Sequence, residues 1–93
     1  NMVTVTLQQM IDERISFLKE QINPENKPEV NSTFQLQIDA IRFVDDHDIE
    51  KVEFIIKEKK ALLKISKDVH ESDRLFAELE GLEWLQRQIE RYT

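Results

Sequence analysis

The sequence predicts an all-α fold, a four-helix bundle-like single domain over residues 1–93, and three observations carry that prediction. The chain holds one glycine and two prolines, whereas a sheet with several tight hairpins normally needs Gly at its turns. Apolar residues recur mainly at helical spacing. Charged residues make up 34% against 40% hydrophobic, the balance of a folded helical protein, not of a disordered chain.

The stretch from Ser32 to Ser66 is the clearest case. At about 100° per residue, Gln35, Asp39, Arg42 and Asp46 fall on one narrow stripe, and Phe34, Leu36, Ile38, Ala40, Ile41, Phe43 and Val44 fill the remaining arc. From Ile49 onward a polar stripe of Glu50, Glu53, Lys57, Lys60 and Lys64 opposes Ile49, Val52, Phe54, Ile55, Ile56, Ala61, Leu62, Leu63 and Ile65, an arc interrupted by Lys51, Glu58 and Lys59. Two adjacent helices apolar around more than half their circumference should be covered on more than one side. Helices 2 and 3 are therefore expected at the centre. The alternation of Phe34, Leu36, Ile38 and Ala40 with polar residues supports a runner-up, α+β in the order α-β-β-β-α, with strands near 33–44, 50–57 and 60–66. The missing turn glycines and the Glu/Lys/Leu-rich 57–65 segment place it second.

Taken in order, helix 1 starts at a capping box of Thr6 and Gln9, with Val5 and Met10 spaced as a hydrophobic staple,. Leu7, Met10, Ile11, Ile15, Phe17, Leu18 and Ile22 share its apolar face, and Asn23-Pro24 stops it,. Residues 23–31 read as a polar loop. Helix 2 is expected from about Thr33, with Ser32 as N-cap and Gln35 as box partner, and to end in Asp45-Asp46-His47-Asp48,. Asp48 then caps helix 3, Ile49 to Ile65. Helix 4 should start between His70 and Asp73, capped by Ser72, with Leu75, Leu79, Leu82, Leu85, Ile89 and Tyr92 on its apolar face. The spacing of Leu75, Leu79 and Leu82 resembles a short coiled-coil seam.

Charge is unevenly spread. Residues 51–67 carry six lysines against Glu53 and Glu58, a net +4, so the rest of a chain of total charge −6 carries −10. An acidic protein with one basic helix is a poor general nucleic-acid binder, since most of its surface repels phosphate. A helix-turn-helix made of helices 2 and 3 would also lead with Asp46, Asp48 and Glu50, the wrong sign for phosphate,. Without cysteine there is no disulfide framework or thiol chemistry,. No apolar run approaches the roughly 20 residues of a membrane span, and a cytoplasmic location is expected. Asn1 before Met2 reads as the remnant of a removed tag,.

Catalysis and cofactors find no footing: the sequence has no glycine-rich phosphate loop and no spacing that argues for a Ser-His-Asp arrangement. His47 and His70 each sit among carboxylates that could ligate a divalent metal,. A 17-residue helix between them spans about 25 Å, so a joint site is excluded, and each cluster is better read as a helix start. The least ordinary feature is a stripe on helix 4 opposite its leucines: Ala77, Gly81, Trp84 and Gln88 at i, i+4, i+7 and i+11. A mid-helix Gly costs about 1 kcal/mol relative to Ala, and small residues beside a Trp leave a groove where another backbone can approach. These four residues are the expected partner-binding site. The competing reading is intramolecular, with the 23–31 loop or the N-terminal arm covering Trp84.

Two functions are expected from this. The first is a small protein-protein interaction or regulatory module with a protein partner or a second copy of itself. The alternative is an acidic inhibitor or immunity-type protein that neutralises a basic partner.

Overall fold

The computed structural model describes residues 5–44 and 46–92, and within them the fold is four helices: α1 (Leu7–Gln21), α2 (Pro28–Phe43), α3 (Ile49–Ile65) and α4 (Val69–Tyr92). The all-α, bundle-like architecture is as the periodicity predicts, and the described residues contain no strand.

The capping box of α1 is present. Thr6 Oγ1 accepts the Gln9 amide at 3.1 Å, and Gln9 Oε1 accepts the Thr6 amide at 2.9 Å. Both ends of α3 also fall where expected, with Asp48 accepting the Glu50 amide at 3.0 Å.

Two helix starts differ from expectation. α2 begins at Pro28 with Lys27 as N-cap, five residues before Thr33. Proline suits the first helical position, because its fixed φ is already helical and the N–H it lacks would have no partner there. Asn31, in the next turn, reaches back to close the connection. Its Oδ1 accepts from the Asn23 amide at 3.2 Å and from Asn26 Nδ2 at 2.9 Å, and its Nδ2 donates to the Asn23 carbonyl at 2.8 Å. α4 begins at Val69, ahead of the expected Ser72 cap. Asp68 takes that role, accepting the His70 amide on Oδ1 at 3.0 Å and the Ser72 amide on its carbonyl at 2.9 Å. The Ser72 hydroxyl instead donates to Ser66 Oγ at 3.2 Å, tying the start of α4 to the end of α3.

α4 is the spine. Its 24 residues span about 36 Å. α2 packs along one side of it and α3 along another, while α1 lies against α2 and α4. The three-residue link 66–68 makes α3 and α4 an antiparallel hairpin. The buried core draws Ile11 and Leu18 from α1, Ile38, Ala40 and Ile41 from α2, Val52 and Ile56 from α3, and Leu79, Leu82, Leu85 and Ile89 from α4, with Val44 from the α2–α3 link.

The expectation that helices 2 and 3 are both central is corrected: α2 and α4 are central, and α3 is an outer helix. Among the described residues, α4 is the one helix against which α3 packs. The outline follows from that. Ninety-three residues in a near-spherical domain give a radius of gyration of about 12 Å. The observed value is 14.4 Å, with principal extents of 51 × 35 × 16 Å, a slab open along α3.

Candidate interaction surface

The expected partner-binding stripe lies inside the molecule. Ala77 is 3% exposed, Gly81 is buried and Gln88 is 8% exposed. The glycine has a direct steric reason: a Cβ at position 81 would sit 2.8 Å from the Gln37 carbonyl oxygen and 3.2 Å from its Cα. α2 crosses α4 there at backbone contact, a separation only glycine permits. Beside the crossing, Gln37 Nε2 donates to Glu80 Oε2 at 3.0 Å.

Trp84 is half-buried, and Arg14 of α1 stacks on it with its guanidinium carbon 5.4 Å from the ring centroid. The same guanidinium lies 5.5 Å from the Phe17 ring. Helices α1 and α2, not the 23–31 loop, therefore fill the groove that the small residues create, and the start of the N-terminal arm lies outside the described residues. The reasoning that a mid-helix glycine marks a close backbone approach holds, but the approaching backbone belongs to this chain. Ala77, Gly81, Trp84 and Gln88 are a packing seam, and their assignment to an outer face is corrected.

Exposed large apolar residues occur on every helix, among them Phe17 on α1, Val30 and Phe43 on α2 and Phe76 on α4, and three of them, Phe54, Leu62 and Ile65, share one face of α3. Val52 and Ile56 face α4 and are buried. On the far side, Phe54 is 61% exposed, Leu62 45% and Ile65 72%, with Ala61 exposed between them. This surface continues round the helix toward α2. Ile55, Ala61, Leu62 and Ile65 line one open groove together with Glu58 and Lys59. Ile55 also lines the next, a hollow of about 260 Å³ between α2 and α3, with Ala40, Phe43 and Leu82. Phe43 projects at that end, with Lys51 Nζ 6.0 Å from its ring centroid.

Ion pairs pin the inner edge of the face. Glu78 of α4 accepts from Lys59 of α3 at 3.3 Å and from Arg74 at 2.9 Å, and both Lys59 and Glu78 side chains are largely covered. Lys60 pairs with Glu83 at 3.7 Å and Lys51 with Asp46 at 4.0 Å. Among the described residues, Lys57, Lys64 and Lys67 make no ion pair.

The sequence held a signal for this surface. In so short a chain, two successive helices that are each apolar over most of their circumference ask for more neighbours than two other helices can supply. One of them is left partly bare, and the pattern alone did not say which.

The two histidines remain apart. His47 lies in the α2–α3 link, with a left-handed backbone (φ 53°), and His70 lies in the first turn of α4, with α3 running between them. No helix among the described residues is long and apolar enough to cross a membrane. No protein-family model, curated protein or solved structure matches the chain.

Proposed function

We propose that this chain is a small protein-protein interaction module that acts through the outer face of α3, from Phe54 to Ile65, extended by Phe43. The observation that supports the reading is the exposure of Phe54, Leu62 and Ile65 together on α3, with Phe43 at the end of α2 exposed beside them. A Phe buries about 150–250 Å² when fully covered. Exposures of 61% and 68% at Phe54 and Phe43 thus leave on the order of 250 Å² of ring surface open. Leu62 and Ile65 bring the face to the size of the largest patch on an ordinary monomer, about 300–600 Å² and often functional. Scattered apolar residues need no explanation, but a contiguous run on one helix does.

The test compares immobilised wild-type protein with the double variant Phe54→Asp/Ile65→Asp, both exposed to cell lysate. The reading expects the variant to keep its helical circular dichroism and lose the proteins that wild type retains. Equal retention by both forms overturns it. Retention that ignores the double variant but falls steeply with salt supports the acidic-inhibitor alternative, because exposed charge pairs are screened within about 10 Å at 0.1 M salt.

A further inference from the structure

Resting on that reading, we infer that the occupant of this face is the same face of a second copy, with the two α3 helices antiparallel about a two-fold axis. Charge order along α3 carries the inference. The polar stripe flanking the apolar face runs Glu50, Glu53, Lys57, Lys60, Lys64, all exposed: acidic in its first half and basic in its second. Asp46 and Asp48 extend the acidic end and Lys67 the basic end. A helix with this order is complementary to itself only when reversed. In an antiparallel pair the same flank of each helix faces its twin, so Glu50 and Glu53 of one copy come opposite Lys60 and Lys64 of the other. A parallel pair would set the stripe against the other flank of its twin, where Lys51, Ile55, Glu58 and Leu62 lie, and would leave this charge order unmatched.

The axis then passes near Lys57, and Phe54 of each copy meets the Lys60–Ala61 region of its twin. Ala61 supplies the space a neighbouring aromatic ring needs. Glu58, the one carboxylate inside the face, comes near its twin at the axis, a repulsion the flanking charge pairs must outweigh.

Partner chemistry and area agree. Lys64 and Lys67 make no ion pair among the described residues, and the second copy brings the carboxylates they lack. A stable interface covers about 800 Å² per partner. The outer face of α3, with Phe43 at one end and Val69 (71% exposed) at the other, offers about 300–600 Å², the footing of a weak dimer. Closing two such hairpins face to face also gives α3 the second apolar neighbour its sequence calls for. The contact is isologous, so it closes at two copies.

The experiment is sedimentation velocity from about 1 μM to about 1 mM, the range in which weak dimers form, on wild type and two charge variants. Wild type should pass from monomer to twice the monomer mass as concentration rises. Glu50→Lys/Glu53→Lys makes the whole stripe basic, and Lys64→Glu/Lys67→Glu makes its last turns acidic. Each alone should shift the midpoint at least tenfold toward higher concentration, and an equimolar mixture, which restores three of the four pairings, should form a heterodimer at lower concentration than either variant pairs with itself. Two results overturn the inference: a wild type that stays monomeric throughout, or a dimer indifferent to both charge changes. A monomeric wild type that still retains lysate proteins through Phe54 and Ile65 removes self-pairing and leaves the interaction reading in place. Loss of both removes the reading as well.

Discussion

Helices α2 and α3 have the same sequence signature and different fates. Each is apolar around most of its circumference, and each borders the short link 44–48. α2 lies between α1 and α4, and Gln37, Ile38, Ala40 and Ile41 are all buried. α3 leans on α4 alone and buries Val52 and Ile56. An amphipathic arc thus states how much cover a helix needs, while the number of neighbours it obtains depends on the rest of the chain. α1 is one helix and can cover only one of the two. It takes α2, because its own apolar face meets the α2–α4 seam around Arg14 and Trp84.

The largest expected effect lies at the seam itself. Gly81→Leu must push α2 off α4, since even a Cβ there comes within 2.8 Å of the Gln37 carbonyl oxygen. Overpacking of a core costs about 1–3 kcal/mol and sometimes more. Here the clash is with backbone that cannot rotate away, so a loss above about 3 kcal/mol is expected in urea unfolding. A variant as stable as wild type would show that the α2–α4 crossing is not as close as described.

Next comes a matched pair of core truncations. Ile38→Ala on α2 (0% exposed) and Ile56→Ala on α3 (6% exposed) remove the same atoms. Buried Ile→Ala changes cost about 2–5 kcal/mol, and the cost falls where the surroundings can collapse into the space. Ile38 is held from two sides, so it should fall in the upper part of that range. α3 can settle toward α4, so Ile56 should fall in the lower part. The reverse order in denaturant melts would break the comparison.

A smaller effect tests what fixes α3 laterally. Glu78→Gln weakens the contacts with Lys59 and Arg74 together. Surface pairs contribute about 0–1 kcal/mol. The Lys59–Glu78 pair is largely covered on both sides, so a loss of about 1 kcal/mol that shrinks in high salt is expected. A loss indifferent to salt would point to packing instead. Lys60→Ala, on the exposed stripe, should change stability by no more than about 0.5 kcal/mol.

Much of this was legible from the residues. Periodicity located all four helices, and the ends of α3 and the Thr6–Gln9 box fell in place because caps are local chemistry. The start of α2 was missed for an equally local reason: Pro28 was taken as part of a loop, although proline also opens helices. Tertiary arrangement was the harder part. Gly81 announced a close backbone approach, and only the packing shows that Gln37 supplies it. The bare face of α3 could not be assigned from sequence, because Phe54 and Ile38 look alike until the neighbours are counted.

That difference can be measured at single residues, because the chain has no cysteine and any introduced thiol reports alone. Phe54→Cys, Ile65→Cys and Ile38→Cys, labelled in dilute solution where the protein is monomeric, compare the two helices directly. The account predicts that thiols at 54 and 65 react at nearly the rate of an unfolded control, while the thiol at 38 reacts only through opening of the fold, at least about a hundredfold more slowly. Equal protection at all three positions would mean that α3 is covered on its outer face within the monomer, contradicting the central claim.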